Sequence, residues 1–406
     1  MSVQVDLKTS ERDRTSRGLT IRALAVFGVT WSISGLMLLV ASRQQQGTAQ
    51  FMSADPWNYY VFRSLPADPG LFGVVMNWDG QWHERIATLG YLPRNDDPWG
   101  FAERAWAFPP VYPLSLRLVT DLVPIGVPAA AWLVSSLFGA LAMVLLAHLT
   151  RPRLGNFGAL ALVAVTGCYI TAPLLQAAYA ESMALFFLLW TMWELERRHY
   201  LRAFVPLLIL SFTRLITPPL ALVAVVHLLV RVRGGEGVSA RDRLLLAMYA
   251  VTALVGPFLW SLTAGLASGS AVTSRAGAFA GATHIGWFDI LWSISPWAVL
   301  VPTVLSVWFL RLAWSERRRL GGDLAAWAAA YPIFVLAVTP PTPGFLRYYM
   351  FAFPFGVAAV GTADMKPTRR LTGLLVICIG MLSLQYLWVR YSFVIDPQPG
   401  RPVFNP

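Results

Sequence analysis

Residues 21–41 read IRALAVFGVTWSISGLMLLVA, and this apolar run decides the fold class. A helix of about 20 apolar residues is long enough to cross the hydrocarbon core of a bilayer. No Ala-x-Ala cleavage site stands at the end of the run, so we interpret it as a membrane-spanning helix and not as a cleavable signal.

The composition of the whole chain agrees with this interpretation. Of the 406 residues, 56% are hydrophobic and 13% are charged, and the mean hydropathy is +0.55. Soluble domains contain about 25% charged residues. The sequence therefore predicts an all-α polytopic membrane protein, with a single integral membrane domain over residues 1–406.

The net charge of +11 raises the question of a nucleic-acid partner. The basic residues, however, occur in short clusters between apolar segments, which is typical of the cytoplasmic loops of membrane proteins. These clusters are Lys8, Arg12, Arg14, Arg17 and Arg22; Arg151 and Arg153; Arg197, Arg198 and Arg202; Arg231, Arg233, Arg241 and Arg243; Arg311 and Arg317 to Arg319; and Lys366, Arg369 and Arg370. The pattern predicts a cytoplasmic N-terminal tail at residues 1–20 and no nucleic-acid partner. The chain is rich in Ala, Arg and Trp and poor in Lys, as in high-GC bacteria, so we expect a multi-pass protein of a bacterial plasma membrane.

The apolar segments predict about 9–11 transmembrane or re-entrant helices. The predicted spans are 21–41, 126–149, 155–173, 182–196, 244–267, 297–315, 324–340, 346–363 and 371–390. Residues 203–230 do not fit this scheme, because two basic clusters flank a segment too short for two full spans. The Pro218–Pro219 pair would interrupt a helix there. We predict paired half-helices, with Arg214 near their meeting point.

This topology leaves four segments and the C-terminal tail on the non-cytoplasmic side. They are a large outer loop with interfacial helices at 42–125, a turn around 172–181, a loop at 268–296, a turn at 340–349 and the tail 391–406. The large loop contains six arginines and eight acidic residues, a balance opposite to that of the basic clusters. The loop 268–296 is rich in small residues, and we expect it to be flexible until a substrate binds.

One stretch of the large loop combines ionisable and aromatic side chains. Residues 77–91 read NWDGQWHERIATLGY. On a helix, Asp79 and His83 share one face, and Trp78 and Trp82 share another. A membrane-surface helix with tryptophans at headgroup level would explain the aromatics. A catalytic site would explain the carboxylate stacked beside an imidazole, and this stretch alone does not decide between the two.

Three further ionisable residues lie within apolar segments or at their outer ends. Glu181, in YAES, begins a span, where the helix dipole favours an acidic residue. Arg214, in SFTR, lies deep, where an unpaired charge costs about 2.5–3.5 kcal/mol, so we expect an anionic partner, either Glu181 or a ligand. Arg347, in FLRYY, has the simpler explanation of a snorkelling anchor. Together these residues suit a lipid head group with a phosphate to neutralise and a hydroxyl to activate.

The motifs WDGQWHERIATLGY, AFPPVYPLSLRL, YAESMALFF, SFTR and FLRYYMFAFPF occur in this order across nearly the whole chain. In order and spacing they resemble the membrane mannosyltransferases that add the second mannose to glycosylphosphatidylinositol anchors. The resemblance implies a GT-C-like glycosyltransferase with a catalytic first outer loop, which takes a sugar from a polyprenyl-phosphate donor. In a bacterium the acceptor would differ, for example a phosphatidylinositol mannoside, a lipoglycan or another cell-envelope glycan.

The resemblance also implies roles for individual residues. Asp79 would be the general base that deprotonates the acceptor hydroxyl in an inverting displacement. Arg214 and Arg347 would bind the leaving lipid phosphate, and Glu181 would orient Arg214 or the sugar. His83 could donate a hydrogen bond to the same phosphate. It stands where related loops often have an aromatic residue, so its role stays open. The remaining expected substrate contacts are Trp78, Trp82 and Tyr348.

No cofactor is expected beyond the lipid-linked sugar itself. The chain has no phosphate-cradling glycine loop for a nucleotide sugar: RGGEG at 233–237 lacks the spacing and the Lys-Ser/Thr of a P-loop. WHER lacks the second His of a zinc motif, so no metal is predicted, although the sequence leaves open a divalent ion beside a lipid phosphate. Two other functions remain open: a transporter or flippase of a lipid-linked saccharide, and a non-catalytic accessory subunit.

Overall fold

The computed structural model describes residues 2–46, 69–91, 105–268, 286–341, 344–361 and 365–396, with residues 2–15 and 268 described by their backbone alone. Within these ranges every regular element is helical. The α-helices are α1 (Ser2–Ser42), α2 (Gly70–Val75), α3 (Asp79–Leu89), α4 (Val111–Leu122), α5 (Val127–Gly167), α6 (Glu181–Glu196), α7 (Tyr200–Ser211), α8 (Pro219–Arg233), α9 (Ala240–Ser268), α10 (Trp287–Ile294), α11 (Leu300–Val338), α12 (Phe345–Tyr348) and α13 (Pro367–Trp388). The all-α prediction is confirmed for this part of the chain.

Five helical segments are long and apolar enough to cross a membrane. They are Ser16–Ser42, Val127–Gly167, Ala240–Ala267, Pro296–Val338 and Pro367–Phe393. Large apolar side chains point outward on them: Leu262 is 60% exposed and Val376 is 64% exposed. Contact of such apolar surfaces with lipid costs no free energy, whereas their exposure to water is unfavourable. The chain is therefore an all-α membrane protein.

Two of these segments bend sharply at a glycine. Gly155 in α5 has φ 69° and Gly321 in α11 has φ 75°, a backbone region that glycine adopts readily and other residues rarely. In α11 the bend reverses the chain, because Trp314 before it and Ala325 after it line the same groove. The sequence predicts separate spans on either side of these places, at 126–149 and 155–173 and at 297–315 and 324–340. The non-helical glycines agree with this, because they divide α5 and α11 into two helical arms each, which in α11 are residues 300–320 and 322–338.

The region around 203–230 contains the two short helices α7 and α8, separated at 212–218 where the sequence predicts a break. The predicted span at 346–363 is different in the structure. The chain there forms the single turn of α12, followed by a 3₁₀ segment at Tyr349–Val360. Pro354 lies inside that segment and cannot donate a backbone hydrogen bond, which disfavours a continuous α-helix.

Four of the basic clusters meet at one end of the helical bundle. Arg153 forms an ion pair with Glu196 at 2.8 Å, and Arg198 pairs with Glu236 at 2.8 Å. The guanidinium of Arg153 also fills the space that a Cβ would occupy at Gly321. We call this the basic end. The convergence fits the idea that these clusters face one side of the membrane.

A buried polar network at the basic end joins α7, α8 and α11. His227 Nδ1 lies 2.8 Å from a carboxylate oxygen of Asp323, and His227 Nε2 lies 3.1 Å from the hydroxyl of Tyr200. Arg231 donates a hydrogen bond of 2.5 Å to the same hydroxyl. Since buried polar groups stabilise a structure only when partnered, these contacts fix the second arm of α11 beside α8.

Candidate active site

The turn that carries Asp79 is fixed by contacts to distant parts of the chain. Trp78 has φ 56°, which is rare for a residue with a side chain. Its indole N–H donates to the carbonyl of Phe393 at 2.9 Å, and the Asn77 amide donates to the same oxygen at 2.9 Å. Asn77 also pairs with the side chain of Gln45, with its amide 2.9 Å from Gln45 Oε1. These bonds set the point at which α3 begins, and α3 begins with Asp79.

Residues 80–87 of α3 are all buried, so this helix packs inside the protein and does not lie along its surface. The segment before α6 reaches it through the backbone. The N–H of Ala178 donates to the carbonyl of Val75 at 2.9 Å. The N–H of Asp79 donates to the hydroxyl of Tyr179 at 3.4 Å. The first turns of α3 and α6 are thus held next to each other.

Asp79 forms an ion pair with Arg347. The distance from Arg347 Nη1 to Asp79 Oδ2 is 2.5 Å, and the two side chains are only 13% and 14% exposed. Arg347 Nη2 donates to the hydroxyl of Tyr348 at 3.1 Å. The sequence offered a snorkelling anchor as the simpler explanation of Arg347, and the structure instead turns its side chain to the carboxylate.

A second ion pair lies beside the first. Arg214, in the break between α7 and α8, has Nη1 2.9 Å from Oε1 of the fully buried Glu181. The ring of Tyr348 lies between the two pairs, because its centroid is 5.0 Å from the guanidinium carbon of Arg214 and 5.0 Å from that of Arg347. The site therefore contains two arginines and two carboxylates around one tyrosine.

His83 lies on α3 one turn after Asp79 and is 3% exposed. Phe108 and Tyr112 contact its ring edge-on, with centroids 5.2 and 4.8 Å away. The helix α3 is not one of the membrane-crossing segments. Burial lowers the pKa of His83 to about 3; Asp79 opposes this, while Arg214 and Arg347 add to it. The imidazole is therefore neutral at physiological pH, and its Nδ1 has no hydrogen-bond partner among the described residues.

These side chains line one cavity of about 210 Å³. Asp79, His83, Arg214, Arg347 and Tyr348 form its polar part. Its apolar wall consists of Ala107, Phe108, Pro109, Leu215, Ile216, Phe334, Val335, Val338 and Pro340. Five predicted site residues from three separated motifs therefore come together at one place, with an apolar surface next to them.

Three of the predicted contact residues do not reach the wall of this cavity. Trp78 points away from it, because its indole bonds the carbonyl of Phe393. Trp82 is buried with its ring 6.0 Å from that of Phe108, on which it stacks, so it supports the wall from behind. Glu181 contacts Arg214 and lies behind it. For the predicted flexible loop 268–296, residues 269–285 lie outside the described ranges, as do 47–68 and 92–104 of the large loop.

The structure adds two tyrosines that the sequence did not single out. The hydroxyl of Tyr179 accepts from the N–H of Asp79, and its ring centroid lies 5.8 Å from the guanidinium carbon of Arg347. Tyr331 lines the cavity and donates to the carbonyl of Tyr348 at 2.9 Å. Tyr179 stands two residues before Glu181 in the YAES motif, and this position in a motif was the sequence feature that could have identified it.

The site has unused capacity to bind an anion. Both Arg214 and Arg347 have a buried Nε–H with no hydrogen-bond partner in the described part of the chain. Guanidinium groups bind phosphate and carboxylate through several parallel N–H donors, which is the chemistry that these two residues offer. Among the described residues there is no group of three or more His, Cys, Asp or Glu side chains that could hold a metal ion.

Comparison with known proteins gives no independent assignment. A scan against known protein families found no family that matches the chain, and a search of curated proteins found no match.

Proposed function

We propose that the chain is a membrane glycosyltransferase that moves a sugar, by resemblance mannose, from a polyprenyl-phosphate donor to a lipid-linked or cell-envelope glycan acceptor. One observation carries the proposal. A carboxylate at a helix start, two arginines with unused donors and an apolar wall share a single cavity. This combination matches the three parts of the reaction: a hydroxyl to deprotonate, a leaving phosphate and a hydrocarbon chain.

The cavity divides naturally between the parts of such a donor. The phosphate fits at Arg214 and Arg347, where charge-assisted hydrogen bonds stabilise the negative charge that develops on the leaving group. The apolar wall along α11, with Val335 and Val338, suits the first isoprene units. The volume of about 210 Å³ is below the range of about 300–1,000 Å³ for drug-sized ligands, so it suits the head group and the first isoprene units, with the rest of the chain outside the cavity.

Asp79 is the proposed general base. Its carboxylate takes the proton of the acceptor hydroxyl as that oxygen attacks the anomeric carbon of the sugar. The bond from this carbon to the phosphate oxygen breaks, and the phosphate leaves with the electron pair. Because the oxygen enters opposite the leaving group, the configuration of the anomeric carbon is inverted. No covalent enzyme intermediate is needed.

The ion pair between Asp79 and Arg347 implies an order for the reaction steps. In this ion pair Arg347 occupies the Oδ2 atom of Asp79, which would otherwise be open to the acceptor hydroxyl. The donor phosphate competes with Asp79 for Arg347, so donor binding would free the carboxylate for the acceptor. His83, being neutral, can offer this phosphate a hydrogen bond but no charge.

A flippase of lipid-linked saccharides is the second candidate, favoured by one observation. Arg214 lies where α7 and α8 break, and interrupted helices with buried charges are typical of transporters. A flippase has no need of a base, so the two functions differ at Asp79. A non-catalytic accessory subunit would likewise tolerate the loss of this carboxylate.

The test uses the purified full-length protein in vesicles with isotopically labelled polyprenyl-phosphate mannose and an extract of envelope glycolipids. We expect labelled mannose to appear in glycolipid, and Asp79→Asn to reduce the rate about 100- to 10,000-fold. Asp121→Asn is the matched control, because this carboxylate is exposed on α4 and is 3.8 Å from Arg117. Movement of the labelled lipid between leaflets without sugar transfer would support the flippase. If the protein shows neither sugar transfer nor lipid movement, the accessory role is the remaining candidate.

A further inference from the structure

A second concave surface lies at the basic end of the bundle, far from the cavity. It is a groove of about 670 Å³ between α8 and the two arms of α11. Val226 and Val230 of α8 form one side. The same second arm of α11 continues to Val338 in the active-site cavity. From Ala326 to Val338 a helix rises about 18 Å, so the two sites are separate.

The groove exists because one face of α11 lacks large side chains. Gly322, Ala325, Ala326 and Ala329 have the spacing i, i+3, i+4, i+7 and therefore share one helix face. Opposite them stands Trp314, which is 68% exposed although it is the largest of the side chains that line the groove. Because these side chains are small and the arms do not pack closely here, an apolar channel remains between the arms.

Two arginines at this groove lack carboxylate partners. Arg311 and Arg317 both line it, and in the described residues neither forms an ion pair. The neighbouring Arg319 does pair, with Glu316 at 2.9 Å. The guanidinium carbon of Arg317 lies 3.9 Å from the ring centroid of Trp314, which holds the charge over the groove. No described residue therefore supplies a carboxylate counter-ion for these two charges.

An apolar channel with two unpaired cations fits an amphiphile with an anionic head. Trp is enriched at the headgroup level of membranes, and Lys and Arg near the bilayer surface attract anionic lipids. From Leu310 to Arg317 the lining face of α11 extends about 10 Å, enough for the upper part of one acyl chain. A free phosphate would match the arginines but leave the channel unfilled.

We propose that this groove binds an anionic glycerophospholipid, with its phosphate at Arg311 and Arg317 and one acyl chain on the alanine face of α11. The bound lipid fills the space between the arms of α11 and so supports the helix that forms one wall of the active-site cavity. This site does not depend on the proposed transferase reaction.

The experiment measures thermal stability and lipid retention of the full chain in lipid nanodiscs or detergent. Phosphatidylglycerol in phosphatidylcholine is compared with phosphatidylcholine alone, and inorganic phosphate is tested separately. We expect phosphatidylglycerol to raise the Tm and to remain bound in native mass spectrometry. Arg311→Gln with Arg317→Gln should weaken this binding at least tenfold. The control, Arg202→Gln with Arg369→Gln, removes the same charge from exposed positions outside the groove and should bind normally.

A second variant tests the channel without changing the charge. Ala325→Leu with Ala329→Leu places two isobutyl groups in the groove and should also displace the lipid, with the Tm in phosphatidylcholine as the check on folding. Equal lipid binding by the groove variants and the control would overturn the proposal. So would equal stabilisation by inorganic phosphate, or a dimer whose interface covers the groove.

Discussion

Asp79 and Arg347 are 268 positions apart in the chain, and their side chains form an ion pair of 2.5 Å at the wall of one cavity. Asp79 begins a buried helix, and Arg347 lies just before the 3₁₀ segment. The pair brings the first and last motifs of the chain into contact. Its charges are largely shielded from water, so each residue stabilises the other, and the loss of one leaves an unpaired charge in a poorly solvated place.

The first prediction follows from this mutual dependence. Arg347→Gln should lower the free energy of unfolding by on the order of 3 kcal/mol, because the Asp79 carboxylate loses its counter-ion. Adding Asp79→Asn should restore much of this stability, since neither side chain is then charged. Thermal unfolding of the four proteins in detergent gives the double-mutant cycle. Strictly additive effects would show that the two side chains do not interact.

The second prediction separates Arg214 from the residue behind it. Arg214→Gln should raise the KM for the donor and lower kcat about 100-fold, because the leaving phosphate loses a donor. Glu181 does not line the cavity, so Glu181→Gln should act only by letting Arg214 move. We expect a smaller effect from this change and almost no further effect in the Arg214→Gln background. If the rate losses of Glu181→Gln and Arg214→Gln multiply in the double variant in steady-state kinetics, Glu181 instead has its own contact with the substrate.

The third prediction concerns the pH dependence of stability. The pKa of His83 is lowered from an ordinary 6.5 to about 3 by burial, so the unfolded chain binds a proton that the folded chain does not. This leaves stability unaffected above about pH 7 and reduces it progressively as the pH falls below 6.5. At pH 5 the loss is about 2 kcal/mol.

His83→Gln removes this titration and should flatten the pH dependence between pH 7 and pH 5. The measurement is the difference in Tm between the two pH values for wild type and variant. His199→Gln is the control, since this imidazole is exposed beside Glu194 at the basic end of the bundle. An identical pH dependence of wild type and His83→Gln would contradict a buried neutral imidazole.

The fourth prediction tests the apolar wall. Val338→Trp should narrow the cavity beside Arg347 and raise the KM for a long-chain donor more than for a short-chain analogue, because it obstructs the hydrocarbon and leaves the arginines intact. Val304→Trp makes the same change on the lipid-facing side of α11, where the side chain is 64% exposed, and should have little effect. An equal rise of the KM for the long-chain and the short-chain donor would show that the hydrocarbon chain of the donor does not lie along this wall.

Much of the fold and part of the site were predictable because charge is costly in an apolar chain. Arg214 lies amid apolar residues, so it required an anionic partner, and Glu181 is that partner in the structure. Asp79 and His83 are one helical turn apart, and both line the cavity. The need for an anionic partner and the shared helix face follow from composition and helical spacing, whereas the choice of Glu181 and the common cavity come from the tertiary structure.

Other features depend on long-range contacts that no local pattern encodes. The indole of Trp78 turns away from the cavity because φ at this residue is positive and the carbonyl of Phe393 accepts its N–H. The partnership of Asp79 with Arg347 required the last motif to fold back onto the first. A snorkelling arginine and a buried one have the same local sequence, so only the tertiary structure distinguishes them.

The contact between Arg153 and Gly321 has a mechanical consequence. It fastens the bend of α5 to the bend of α11, and the polar network at His227 holds the same end of α11 against α8. Helices fastened at one tip diverge most at the other, so relative motion of these helices grows toward Val338 and the residues that follow it. If the proposed lipid donor enters between these helices, we expect it to do so at the far tips, and a stiffer fastened end would limit how wide they open.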